Sequence, residues 1–235
     1  MTDTKLDVRV YPLDDPKGTT KAFASVSLDD MVAIRGIRVI ADEQNGFFVA
    51  MPRVQDKMTG TYSDIVAPAT DSLRNEINKS VMDEFKRTAS LPPEQRGYDT
   101  TPRDMSGIDT SSVTLDIKVF PLTNPKGKTK AFATVSMDNL VTINGVRVVE
   151  GKEKLNVLMP QSRDNDNNFR DIAFPIIGDF RKTITAAVLK AFEPHEKTQK
   201  KSLESKLAEG AGRAAQHTAP EPARMAAKSR AGSLE

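Results

Sequence analysis

Apolar and polar positions alternate at the start of the chain: Leu6, Val8 and Val10 fall on one face, Asp7, Arg9 and Tyr11 on the other. A period of two marks a half-buried strand. Leu115, Ile117 and Val119 repeat the pattern with their own polar neighbours. Each run ends in turn chemistry, Asp15-Pro16-Lys17-Gly18 and Asn124-Pro125-Lys126-Gly127, where Pro fixes φ and Gly permits φ > 0. A second strand is predicted over Ala22–Leu28, with Ala22, Ala24, Val26 and Leu28 on one face. A third runs from Val32 to Ile40. Its apolar parity switches from Val32 and Ile34 to Ile37 and Val39, with Gly36 at the switch and Gly145 at the equivalent place, which predicts a β-bulge in both. A fourth strand, Gly46–Met51, stops at Pro52, and a short fifth element covers Tyr62–Val66. From Asp71 the period becomes helical. Leu73, Ile77, Val81 and Phe85 lie at successive i+4 steps, and Phe180, Ile184, Val188 and Phe192 repeat them. Thr70 or Asp71 can cap the first helix, and Asp179 lies near the start of the second. The fold class is α+β: two repeated domains, each an antiparallel sheet of about five strands with a C-terminal amphipathic helix.

The repeat is explicit. Leu6–Ile40 aligns without gaps on Leu115–Val149, and 21 of the 35 pairs are identical. The correspondence continues through Met51-Pro52 and Met159-Pro160, Asp64-Ile65 and Asp171-Ile172, and Arg74 and Arg181. A period this long, present twice, means two domains and not a solenoid. The expected boundaries are residues 5–88 for the first domain, 89–112 for a Pro-, Gly- and Ser-containing flexible linker, 113–196 for the second domain and 197–235 for a basic disordered tail. Two copies of one unit on a single chain can form a pseudo-two-fold dimer within it, so they are expected to pair with each other, through strand edges or an aromatic sheet face. The linker is long enough to allow it, and tethering raises the effective concentration to about millimolar.

Composition narrows the chemistry. The chain has 235 residues, 38% hydrophobic and 28% charged, as in globular proteins. No apolar run approaches the ~18–20 residues of a membrane helix, and the first residues carry no signal-peptide apolar region, so the expectation is a cytoplasmic protein without membrane contact. There is no Cys, which excludes disulfides, thiolate nucleophiles and Cys-ligated metals; the two His, His195 and His217, lie in tail-like sequence. No Gly-rich phosphate loop, Ser/His/Asp set or metal-ligand spacing is present. The expectation is a non-enzyme with no catalytic residues, no cofactor and no metal.

The first copy resembles the SpoVG family, the stage V sporulation and septation regulators of bacteria. The residues that carry the resemblance are Asp7-Val8-Arg9, Ala22–Leu28 with Asp29, Ile37-Arg38-Val39-Ile40, and above all Asn45-Gly46-Phe47-Phe48-Val49-Ala50-Met51-Pro52. Asp64-Ile65, Pro68, Arg74 and Glu84-Phe85-Lys86-Arg87 continue it. The second copy keeps Val146-Arg147-Val148-Val149, Met159-Pro160, Asp171-Ile172, Pro175 and Arg181, but has Lys154-Leu155-Asn156 in place of the Asn-Gly-aromatic approach. The resemblance implies a small domain that dimerises and binds DNA and also RNA in regulating gene expression. It also implies basic contacts just after the Met-Pro and on the C-terminal helix. Arg53 and Lys57 fall in that loop of copy one, Arg163 in that of copy two, and Arg87 at the helix end; copy two has Glu193-Pro194 beyond Phe192 instead.

Charge weighs against a simple basic-surface reading. Residues 197–235 hold eight basic and four acidic side chains, which leaves 26 basic and 28 acidic in the remainder. A slightly acidic body needs local clusters to hold phosphate. The candidates are Arg53/Lys57, Lys79/Lys86/Arg87 on the first helix, Arg181/Lys182/Lys190 on the second and Lys197/Lys200/Lys201 beyond it. The nucleic-acid site is thus assigned to Arg53, Lys57, Lys79, Lys86, Arg87, Arg163, Arg181 and Lys182. Each cluster has a plainer reading. The helix lysines suit a solvated face, and Arg38 and Arg147, within a strand, suit a structural ion pair. Arg74 and Arg181 sit near helix N-termini, where a cation calls for a carboxylate or phosphate partner. Asp64 and Asp171 suit turn or cap bonding. Tyr11, Phe23, Phe120 and Phe132 lie opposite the main apolar set, where they either stack bases or, the preferred reading, are buried in a subunit or copy-to-copy interface. The favoured function is a regulator that binds DNA and/or RNA, its two copies forming an intrachain pseudo-dimer, with further homo-oligomerisation open. The alternative is a protein-interaction adaptor that does not bind nucleic acid.

Overall fold

In the computed structural model the alternating runs become strands at the expected places. The structure describes residues 4–195 except 45, 56–58, 97–106, 124, 126, 139, 165 and 194. The middle of the linker and the tail therefore lie outside the described residues. Copy one contributes β1 (Leu6–Pro12), β2 (Thr20–Leu28), β3 (Val32–Asp42), β4 (Gly46–Ala50), β5 (Arg53–Gln55), β6 (Tyr62–Asp64), β7 (Val66–Pro68) and α1 (Asp71–Ala89). Copy two contributes β8 (Leu115–Pro121), β9 (Thr129–Met137), β10 (Val141–Glu150), β11 (Leu155–Leu158), β12 (Gln161–Arg163), β13 (Phe169–Asp171), β14 (Ala173–Pro175) and α2 (residues 178–193). The fifth element of the sequence reading is two strands, β6 and β7, separated at Ile65. β5 is an additional strand, too short and too polar to show a period.

Within each copy β1–β2–β3–β4 and β8–β9–β10–β11 form antiparallel meanders. The bulges sit at the two glycines. Gly36 and Gly145 both have φ of +77°, and the register slips between Ile34 and Ile37 and between Ile143 and Val146. The slip exchanges the faces, so Ile34 and Ile37 are both buried although three residues apart. A Cβ added at Gly36 would meet nothing within 4 Å, so the backbone alone resists a side chain there. Gly36→Ala is expected to cost about 1–2 kcal/mol, the price of a left-handed φ for an L-residue. Urea unfolding checks this; a loss under a few tenths would show that the bulge relaxes.

Each helix covers one face of its sheet. Thr70 caps α1 by accepting a hydrogen bond from the Leu73 N–H at 3.1 Å, and Leu73, Ile77, Val81 and Phe85 are buried along one stripe. Phe180, Ile184, Val188 and Phe192 do the same in α2. Among the described residues no helix lies over the opposite sheet face.

The fifth strand of each main sheet comes from the other copy. β7 of copy one pairs with β10, Val66 opposite Ile143 and Pro68 opposite Val141. β14 of copy two pairs with β3, Ala173 opposite Ile34 and Pro175 opposite Val32. The flanking backbone bonds are also reciprocal. Asn144 N–H donates to Ile65 O (2.8 Å) as Arg35 N–H does to Ile172 O (2.7 Å), and Ala69 N–H donates to Leu140 O as Ile176 N–H does to Met31 O. The two copies fall in one compact unit that ends at Glu193. They meet through strand edges and not through the aromatic faces: Tyr11, Phe23, Phe120 and Phe132 are 38–56% exposed. The expectation that these rings are buried between the copies is therefore corrected. The edges of β3 and β10 offer a row of unmet backbone groups that only another strand can satisfy.

Candidate nucleic-acid interface

The loop after each Met-Pro forms a two-stranded hairpin, β5–β6 in copy one and β12–β13 in copy two. In copy one Arg53 lies opposite Asp64 and its Nε donates to Asp64 Oδ1 at 2.6 Å, while Arg74 Nη2 approaches Asp64 Oδ2 at 3.5 Å. In copy two Gln161 stands at the Arg53 position. Its amide donates to Asp171 Oδ1 at 2.9 Å, and Arg181 binds the other oxygen of Asp171. Asp64 and Asp171 are thus centres of ion pairing between hairpin and helix, not turn or cap ligands. The partner of Arg74 and Arg181 is a carboxylate.

Pairing consumes most of the sequence-assigned site. Lys79 faces Asp83 at 3.7 Å, Lys182 binds Asp179 at 2.8 Å, and Arg87 forks onto Glu84 at 2.8 and 2.7 Å. Hydrogen bonding from Arg87 holds the Glu84 carboxyl below its ordinary range, with Thr88 Oγ1 adding to it; Lys182 does the same to Asp179. A lowered carboxyl contributes its stabilisation above its unfolded pKa and loses it as pH falls through the lowered folded value. These pairs therefore persist at neutral pH and open in acid. Lys57 lies outside the described residues. Lys86 and Lys190 are exposed and, among the described residues, have no carboxylate partner.

Arg163 is different. Its Nη1 donates to the neutral Asn167 Oδ1 at 2.7 Å, and its guanidinium lies 4.8 Å from the ring centre of Phe169, directly across the hairpin. The turn behind it is set by Asp164, which accepts from the Asn168 N–H (2.8 Å) and from Arg170 Nε (2.6 Å), with Asn167 at φ +65°. Phe169 is 61% exposed, and Tyr62 at the equivalent place of copy one is 64% exposed. Both hairpins thus project an aromatic ring into solvent, and copy two sets on it an arginine with no carboxylate partner among the described residues.

The ion pairs expected for Arg38 and Arg147 are absent among the described residues. Arg147 Nη2 donates to the Gln161 amide oxygen at 3.2 Å, and Arg38 faces Phe23 on one side and Ala50 on the other. No carboxylate stands across from either strand position, because β2 and β9 place an aromatic there. Arg35, which sequence reasoning did not nominate, lies 4.6 Å over Phe174 of the other copy's β14. Only the strand exchange brings that pair together, so no signal within one copy could have found it. An open cavity of about 940 Å³ lies where the copies meet, lined by Val32, Leu73 and Phe180 with Asp29, Glu76 and Asp138. Three carboxylates make it a poor seat for phosphate.

A two-layer α+β unit present twice, with basic and aromatic side chains on projecting hairpins, defines a class of small duplicated α+β domain. The SpoVG family profile matches residues 4–87 and again 113–194. A septation protein SpoVG of Archaeoglobus fulgidus is 43% identical over 70 residues, 30% of this chain and 82% of the relative. One from Clostridioides difficile is 38% identical over 77 residues, 33% of this chain and 83% of its own length, and one from Staphylococcus aureus is 42% identical over 67 residues, 28% of this chain and 67% of its own. This chain belongs to the SpoVG family. Each of these relatives is about the length of one copy, so the chain is a tandem duplication of the family's unit. Among the described residues no helix is long and apolar enough to cross a membrane.

Proposed function

We propose that this protein is a non-catalytic regulator that binds DNA and/or RNA, with its two SpoVG copies acting as an intrachain pseudo-dimer. The observation that carries the reading is Arg163 stacked on the exposed Phe169 at the hairpin after Met159-Pro160, a cation and a π-face presented together and, among the described residues, without a carboxylate partner. Arginine supplies charge-assisted bonds to phosphate, and an exposed ring accepts a base. Exposed Lys86 and Lys190 on the helices, and the basic residues 197–235, add charge. Family membership supports the SpoVG type of activity, and the reciprocal β7–β10 and β14–β3 pairings support the pseudo-dimer. The pairing of Arg53, Lys79, Arg87, Arg181 and Lys182 with carboxylates supports a modest affinity resting on few phosphate contacts.

A salt series tests this. Titration of the full chain with labelled single-stranded and duplex oligonucleotides should give binding at about 50 mM salt that falls with a log–log slope of only a few. Absence of salt-dependent binding at low salt would sink the reading and leave the adaptor alternative. A charge variant sharpens the test. Glu84→Gln releases Arg87 from its carboxylate, so it is expected to raise affinity and steepen the slope by about one, at a stability cost of roughly 0.5 kcal/mol. An unchanged slope would place Arg87 outside the interface.

A further inference from the structure

The sheet faces that no helix covers among the described residues carry matching side chains in the same order in both copies. In copy two, Phe120 of β8, Phe132 of β9 and Arg147 of β10 lie directly opposite one another across three strands. In copy one, Tyr11, Phe23 and Arg38 hold the same places on β1, β2 and β3. Directly opposed residues in antiparallel strands share a face, and neighbouring strands lie about 4.8 Å apart. Each row is therefore roughly 10 Å of aromatic surface ending in a guanidinium. Phe120 is 56% exposed, Phe132 42% and Phe23 44%, which no core position would show.

The row of copy two also leads somewhere. Arg147 is joined to Gln161 of β12 by its 3.2 Å bond, and Arg163, two residues further along β12, faces the same side as Gln161 and stacks on Phe169. Side chains two residues apart in a strand project on the same face about 7 Å apart. Phe120, Phe132, Arg147, Gln161, Arg163 and Phe169 thus form one track from sheet to hairpin; the carboxylate on it, Asp171 opposite Gln161, is held by Gln161 and Arg181.

The geometry points to these tracks as binding sites for an unpaired polynucleotide strand, with bases stacked on Phe132 and Phe120 (Phe23 in copy one) and phosphates on Arg147 and Arg163 (Arg38 in copy one). The inference rests on the nucleic-acid reading above and adds the site and the strandedness of the ligand. The charge on the face selects this occupant over a second copy of the chain. The carboxylates on the same faces, Asp7 and Asp116, already face Arg9 and Lys118, so packing two such faces together would bury Arg38 or Arg147 without a carboxylate of its own, at a cost that a polyanion does not incur. A duplex hides the faces of its bases within the stack, so it can use the arginines but not the rings. An unpaired strand can use both.

The test uses the full chain and uridine or thymidine oligomers of about 12 nucleotides, with a duplex of the same length for comparison. The double variant Phe120→Ala/Phe132→Ala should weaken binding of the unpaired oligomers by about tenfold or more and change duplex binding less than about twofold. Phe132→Tyr should keep the affinity, since it keeps the ring. The protein has no Trp, so Phe132→Trp supplies a single reporter whose fluorescence should fall on adding unpaired oligomer and stay constant with duplex. Because the rings are exposed, circular dichroism and the unfolding midpoint should be those of the unaltered chain, which separates lost stacking from lost fold. Equal losses for both ligands, or none for the unpaired ones, overturn the inference while leaving the nucleic-acid reading intact. If the unaltered chain binds neither ligand, both fall. A drop in the sedimentation coefficient of the double variant without ligand overturns it in favour of face-to-face association of two chains.

Discussion

Val66→Asp is expected to unfold both copies together. Val66 is fully buried and lies opposite Ile143 in the strand that copy one lends to the sheet of copy two. A carboxylate there has only apolar neighbours in the strand register, and an uncompensated buried charge costs about 3–5 kcal/mol. That is a large part of the roughly 5–15 kcal/mol that holds a typical domain. The cost is shared by both copies because β7 is covalently part of one and hydrogen-bonded into the other. If it withdraws, Ile65 O loses Asn144 N–H and Leu140 O loses Ala69 N–H. Urea unfolding followed by circular dichroism should show one transition at markedly lower urea. Val54→Asp, the same change at a 54% exposed position on the adjoining hairpin, should shift stability by no more than about 0.5 kcal/mol. Two separable transitions, with the second at its original midpoint, would mean that the copies fold independently and that the exchanged strands contribute little.

The second large effect is expected at Phe180. This ring is 1% exposed, opens the buried stripe of α2 and lines the cavity between the copies beside Met31, Val32 and Leu73 of copy one and Met137 and Leu140 of copy two. Phe→Ala at a core site costs about 3–5 kcal/mol, and the upper end applies where the surroundings cannot collapse into the space. Here they cannot move easily: Val32 lies in a strand clamped by β2 and β14, and Leu73 sits at the capped first turn of α1. Phe180→Leu copies the residue at the equivalent position of copy one, Leu73, and should keep most of the stability. Thermal unfolding distinguishes the two variants. A Phe180→Ala midpoint within a few degrees of the unaltered chain would show that the junction between copies is loosely packed.

Much of this architecture is written locally. The alternation of Leu6, Val8 and Val10, the parity switch at Gly36 and the i+4 stripe from Leu73 to Phe85 each depend on one element meeting one buried layer, so a single segment carries the whole signal. The duplication is legible for the same reason, since identical positions in Leu6–Ile40 and Leu115–Val149 face the same layer. β5 escaped notice because Arg53, Val54 and Gln55 are all exposed and no layer imposes a period on them. The candidate site was legible in position but not in state. The basic residues lie where the repeat and the family place them, yet Asp64, Asp83, Glu84, Asp171 and Asp179 hold most of them. Pairing across ten or more residues, as between Arg53 and Asp64 or Arg181 and Asp171, depends on where a hairpin packs against a helix, which no local pattern encodes. Among the described residues the same geometry leaves Arg147 and Arg163 without a carboxylate partner, with a glutamine and an asparagine amide as their neighbours.

The sequence by itself determined the two units, their order of strands and helix, the bulges and the family. Each of these follows from side-chain periodicity, glycine backbone freedom or identity between the copies, all of which act at short range along the chain. Only the tertiary structure decided that each unit completes its sheet with a strand from the other, and that among the described residues the aromatic faces stay open. The physical reason is that backbone edges are chemically alike in every sequence. Which edge pairs with which is set by the shapes of two folded sheets, and the outer faces become surface once the edges have closed.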